Sequence, residues 1–115
     1  MFRFENLEIW EIAISYAKDC YFLANSFPAK EKYALSDQLR RAAVSISNNI
    51  AEGSAFGTQK FKCFLDISIG STLETVNILA FAEELRYIVR EKKNELYEEA
   101  EKLIRKIRSF KSRLE

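Results

Sequence analysis

Apolar residues recur along this chain every three or four positions, in four separate runs. In the first, Leu7, Trp10, Ile14, Ala17, Tyr21 and Ala24 follow one another at spacings of 3, 4, 3, 4 and 3, the seam of a packed helix. Asn6 is placed to cap its start. Phe27-Pro28 stops it, because proline lacks a backbone donor and restricts the residue before it. The second run, Leu35, Leu39, Ala42, Ile46 and Ile50, starts near Lys30 or Ser36 and closes at Glu52-Gly53, where glycine can take a left-handed C-cap conformation. The loop GSAFG follows, with Thr58 as N-cap of a third helix. The last run, Leu96, Ala100, Leu103, Ile107, Phe110 and Leu114, repeats at 4, 3, 4, 3 and 4, with Asn94 as its cap and a break near residues 90–94. The pattern predicts an all-α domain over 1–115 with helices at about 6–26, 30–52, 58–90 and 94–113. Short connections between four seams imply an antiparallel up-and-down four-helix bundle.

The third run is different, being apolar nearly all the way round. Phe61, Phe64, Leu65, Ile67, Ile69, Leu73, Val76, Ile78, Leu79, Phe81 and Leu85 cannot all face one core. In a chain of 115 residues such a helix needs a second surface to bury against, and another subunit supplies one, so a homo-oligomer is expected. Leu73 and Phe81 are candidates for outward positions.

Composition narrows the picture. Apolar residues at 48% and aromatics at 13% exclude a disordered chain, and three glycines with one proline favour a few long helices over many strands. Net charge is +1, from 18 basic and 17 acidic residues, so a nucleic-acid partner would have to be met by a local patch. Charges interrupt the N-terminal apolar residues MFRFENLEIW, which do not read as a signal peptide, and a cytoplasmic protein is expected. Asp66, Glu74 and Asn77 interrupt the most apolar window, so no membrane span is expected. Cys20 and Cys63 read as small buried hydrophobes.

The segment QLRRAAVSISNNIAEG, residues 38–53, places serine and asparagine inside a helix, where they are poor formers. Gln38, Arg41, Ser45, Asn49 and Glu52 fall in one stripe beside the apolar seam, and Ser68, Ser71, Thr72, Glu74 and Thr75 form a matching run on the third helix. A hydrogen-bonded network between these helices would satisfy both. A catalytic stripe is the competing reading, and it would need a pocket gathering Glu52, Arg41 and Ser45. No histidine is present, which excludes Ser-His-Asp and Cys-His nucleophile systems. There is no GxGxxG, no GxxxxGK[ST] and no CxxC, so no cofactor, metal or small-molecule substrate is expected and the protein reads as a non-enzyme. The pairs Glu83-Glu84 and Glu98-Glu99 read as solvated faces.

The order FENLEIW, FP-x-x-E, QLRRAAVSISNNIAEG and KFKCFLDISIGSTLET resembles the bacterial four-helix-bundle family encoded by intervening sequences in large-subunit ribosomal RNA genes. That family includes the accessory variability determinant of diversity-generating retroelements. The motifs that carry the likeness run from Arg41 to Gly53 and from Phe64 to Glu74. The resemblance implies closed five-fold rings of bundles. For the accessory-determinant members it also implies binding to nucleic acid and a reverse transcriptase.

A nucleic-acid surface is sought first on the last helix. Lys102, Arg105, Lys106 and Arg113 share one side of it, Arg108 and Lys111 lie elsewhere on it, and no acid falls between Lys102 and Arg113. Arg40, Lys60 and Lys62 are added to the set. A ring would multiply a weak phosphate-backbone site, so RNA or an RNA–DNA hybrid is the expected partner. The helix dipole equally favours cations at that end, and an interaction scaffold without nucleic acid is the alternative.

Overall fold

The computed structural model describes residues 1–115. The chain is all-helical: a short 3-10 turn at Arg3–Asn6, α1 at Glu8–Ala24, a second turn at Ala29–Glu31, α2 at Leu35–Gly53, α3 at Thr58–Glu84 and α4 at Arg90–Ser112. The helices pack in a closed order, α1 on α2, α2 on α3, α3 on α4 and α4 back on α1, and so form a four-helix bundle. It measures 44 × 24 × 21 Å. By length and composition α3 could cross a membrane, but here it is a core helix with Phe61, Leu65 and Leu79 fully buried.

Two of the helix boundaries are set by the structure. Of the two starts open to α2, near Lys30 or near Ser36, it takes the second: residues 29–31 form a 3-10 turn and the helix begins at Leu35. The break expected at 90–94 falls at residues 85–89. There Arg86 adopts φ 63°, the left-handed region. Its N–H donates to the Glu83 carbonyl at 2.8 Å, and the Tyr87 N–H reaches back to the Ala82 carbonyl at 2.8 Å. This is a Schellman closure with arginine where glycine is usual, at a cost of about 1 kcal/mol, and it leaves no Gly or Pro signal in the sequence. Tyr87 then packs on Phe27, with ring centroids 5.7 Å apart, and its hydroxyl donates to Glu31 Oε2 at 2.7 Å. That bond holds the Glu31 carboxyl below its ordinary range.

The expected side-chain caps are not used. Asn6 lies in the first 3-10 turn and Leu7 precedes α1; Gly57 precedes α3; Val89 precedes α4, leaving Asn94 inside the helix. Thr58 instead turns its hydroxyl to the Glu115 carbonyl. Gly53 is not left-handed, since no glycine has a positive φ. It is a buried helical residue whose added Cβ would lie 2.6 Å from Phe64 Cβ and 2.8 Å from Phe61 Cδ1. Glycine is required there because the first turns of α3 pack directly on the end of α2.

The buried face of α1 is also rotated from the expected seam. Ile9, Ala13, Tyr16, Ala17, Cys20 and Ala24 face the core, while Ile14 is half-buried and Tyr21 is exposed. Small residues inside let α1 approach its neighbours closely, which sends bulky Tyr21 to the rim. The seams Leu39, Ala42, Ile46, Ile50 on α2 and Leu96, Ala100, Leu103, Ile107 on α4 are buried. Cys20 is buried, its thiol pushed up to about 12 by loss of solvation, whereas Cys63 is exposed rather than a core residue.

Candidate nucleic-acid interface

The polar residues of α2 and α3 meet in a seam that runs through the bundle. Ser45 and Ser71 hydroxyls lie 2.9 Å apart, and Asn49 Nδ2 donates to the Ser45 carbonyl at 2.8 Å and to its Oγ at 3.1 Å. One turn away, Ser68 Oγ donates across the interface to the Ile46 carbonyl at 2.9 Å, and Thr72 Oγ1 to the Ser68 carbonyl at 2.9 Å. Thr75 Oγ1 donates to the Thr72 carbonyl, which leaves it as acceptor for the Tyr16 hydroxyl 2.8 Å away on α1. No buried side-chain polar atom is left unpaired. These short side chains belong in the helix interior because each finds a partner there that solvent no longer supplies.

Four of the ten residues expected in this seam lie outside it. Gln38, Arg41, Glu52 and Glu74 are exposed, and Arg41 pairs with Asp37 one turn back at 3.0 Å. They sit on the outer edge of the stripe, where long charged chains reach water. Tyr16 is the member that sequence reading missed, since an aromatic at helical spacing reads simply as core. Its position raises its ionisation well above the ordinary tyrosine range, chiefly through burial.

This geometry makes an asymmetric prediction. Thr75→Val strips the buried Tyr16 hydroxyl of its oxygen acceptor and should cost about 1–3 kcal/mol. Tyr16→Phe should cost less, about 1 kcal/mol, because Thr75 keeps its bond to Thr72. Urea midpoints that rank the two variants the other way would contradict the donor assignment.

Arg41, Ser45 and Glu52 do line one open depression, of about 560 Å³, together with Asn48 and Asn49. The Ser45 hydroxyl is engaged by Ser71 and Asn49, and no hydrogen bond joins it to a base. The depression thus gathers the side chains a catalytic stripe would need without the activated nucleophile.

The cations at the C-terminal end of α4 divide by whether an acid of the chain engages them. Lys102, Arg105, Arg108 and Arg113 are exposed, and none forms an ion pair within the chain. Lys106 is engaged by Glu8 of α1 at 3.2 Å, and Lys111 by Asp66 of α3 at 2.7 Å. Lys62 of α3 joins Arg108 and Lys111 around a furrow of about 450 Å³ between α3 and α4. Arg105 and Arg108 continue along the same side beside Leu73 and Ile104. Arg108 thus groups with Lys62 and Arg105 across the two helices, which a single-helix wheel could not show.

Two other cations take different places. Arg40 lies on the α1–α2 side, its guanidinium 5.4 Å from the Tyr21 ring and hydrogen-bonded to Asn25. Lys60 sits with its ammonium 3.9 Å from the ring centroid of Phe56, which stacks on Phe64 at 5.7 Å.

Two of the paired carboxylates are not simply solvated. Glu83 accepts from Lys93 at 2.7 Å and from Arg90 at 3.1 Å, and these bonds hold its carboxyl below the ordinary range. Glu99 is half-buried on α4 against Asp19 of α1, and burial, followed by the sharing of a proton with the Asp19 carboxyl, raises its own carboxyl to about 7.

No curated protein matches the sequence. A family profile does, over residues 5–109, nearly the whole of the bundle from the first turn to the last turn of α4. The chain therefore belongs to the 23S rRNA-intervening sequence protein family, which is not a known family of enzymes.

Proposed function

We propose that this protein is a non-enzymatic accessory factor whose antiparallel up-and-down bundles close into a homo-oligomeric ring, a pentamer, and hold RNA or an RNA–DNA hybrid by its phosphate backbone. The observation that carries the reading is the set Lys102, Arg105, Arg108 and Arg113, exposed and without intrachain ion pairs in a chain whose net charge is only +1. Cations left free beside neutralised ones form a track that costs no internal salt bridge to use. Phosphates displace counterions from such a track, and repetition around a ring raises a weak contact to a useful one. Ring closure is supported by Ile67, Leu73 and Phe81, which are 52%, 51% and 55% exposed on α3.

The second reading, a scaffold that binds protein alone, with a reverse transcriptase as one candidate partner, is favoured by the exposed rings of Phe22 and Tyr33. Fluorescence anisotropy with structured RNA across a salt series separates the two. Binding at low salt should weaken steeply as salt rises and be indifferent to sequence. Changing Lys102, Arg105, Arg108 and Arg113 together to Gln should abolish it, while each single change flattens the log–log salt slope by about 0.9 for every phosphate no longer neutralised. Binding that survives the quadruple change, or its absence in the parent at low salt, would make the scaffold the better reading.

A further inference from the structure

Two faces of the bundle have no partner within the chain, the first of them bordering the cation track at Leu73. The first is the outer ridge of α3, where Ile67, Gly70, Leu73, Glu74, Asn77 and Phe81 are all exposed. At 100° per residue these positions span about 120°, and Gly70 is at the middle. A Cβ at Gly70 would meet nothing within 4 Å, and its φ is not positive. Nothing inside the chain therefore requires glycine there, although glycine in a helix interior costs about 1 kcal/mol relative to alanine. A residue that leaves the backbone bare at the centre of an apolar ridge suits the close approach of another helix.

The second face is the furrow between α1 and α2. Ile14, Ala17, Tyr21, Val44, Ser47 and Asn48 line a part of about 340 Å³. Tyr21, Val44 and Asn48 also belong to the 560 Å³ depression that reaches from Asp37 to Glu52, so the two are continuous. At 1.5 Å per residue the furrow runs about 22 Å along α2, and the ridge from Ile67 to Phe81 runs about 21 Å. Charge is complementary as well. Glu74 and Glu84 on the α3 side have no ion pair within the chain, and neither do Lys18 and Arg40 beside the furrow; Arg41 there is paired with Asp37 and Glu52 is unpaired, which leaves the furrow net positive.

We infer that the α3 ridge of one copy seats in the α1–α2 furrow of the next, with Gly70 at the closest approach of the two backbones and Glu74 and Glu84 facing Lys18 and Arg40. The inference rests on the homo-oligomeric reading and names its contact. Ridge and furrow are different surfaces, so the contact is head-to-tail, and every copy uses both faces only when a ring closes.

Light scattering behind size-exclusion chromatography tests this with variants altered at one face each. Gly70→Leu, whose side chain points into open space in the single chain, and Lys18→Glu should each weaken association at least tenfold while helicity by circular dichroism is retained. Adding Glu74→Lys to Lys18→Glu should restore the parent mass. Mixing Gly70→Leu, which keeps its furrow, with Val44→Glu, which keeps its ridge, should yield a dimer that grows no further, the signature of a head-to-tail contact. A parent that is monomeric at micromolar concentration would overturn the homo-oligomeric reading and this contact with it. An oligomeric parent whose mass is untouched by either single change would overturn the face assignment alone.

Discussion

Gly53→Val should destabilise the isolated bundle by about 2–3 kcal/mol, the cost of overpacking a site that cannot relax cheaply. The atoms in the way are Phe64 Cβ at 2.6 Å and Phe61 Cδ1 at 2.8 Å, the first of which moves only if α3 itself moves. Gly53→Ala should fall between parent and valine, since the same clash is partly offset by the better helix propensity of alanine. Gly70→Ala has the opposite sign: its methyl meets open space, so the isolated subunit should gain up to about 1 kcal/mol. The two glycines, one at the end of α2 and one inside α3, should thus respond to the same change with urea midpoints that move in opposite directions and an unchanged slope. A neutral Gly53→Val would show that the start of α3 does not pack on the end of α2 as closely as the structure has it.

The second large effect is on pH dependence. The Glu99 carboxyl rises from 4.5 to about 7, first through burial and then through its hydrogen bond to Asp19 and the charges of Asp19 and Glu95, with Lys92 acting against them. A folded value above the unfolded one means that the native state holds the proton more tightly. The stabilisation is therefore fully present below about pH 4.5 and is lost as pH rises through 7. Solvent reaches this carboxyl, so the loss is discounted to about 1–2 kcal/mol. Glu99→Gln keeps a donor for Asp19 and should remove the decline, leaving a variant close to the parent at pH 5 and more stable at pH 8. Parallel stability curves for the two proteins between pH 5 and 8 would dissociate the α1–α4 carboxyl pair from the effect.

Legibility in the sequence follows periodicity and chemistry unequally. The seams of α2 and α4 are readable because large aliphatic residues at three- and four-residue spacing have one place to go. The seam of α1 shares Ala17 and Ala24 with the expected one but is turned from it elsewhere, since Ala13 and Cys20 carry less hydrophobic signal than Ile14 and Tyr21 yet fit a close helix contact better. The α3–α4 break is hidden by Arg86, which adopts a conformation that sequence rules assign to glycine. In the polar seam the short hydroxyl residues are identifiable, because they satisfy one another at close range. Gln38, Arg41, Glu52 and Glu74 share the same wheel positions but extend past the interface. The cation track is legible only within one helix: that Lys62 faces Arg108 depends on how α3 and α4 are set against each other, which no wheel contains.

The Tyr87 contacts have a further consequence. Tyr87 in the α3–α4 connection holds Glu31 and Phe27 in the α1–α2 connection, so at this end of the bundle the two connections are latched to each other. Opening either one breaks the contact that holds its counterpart, and amide exchange at this end should therefore be coupled across the two connections rather than local to one.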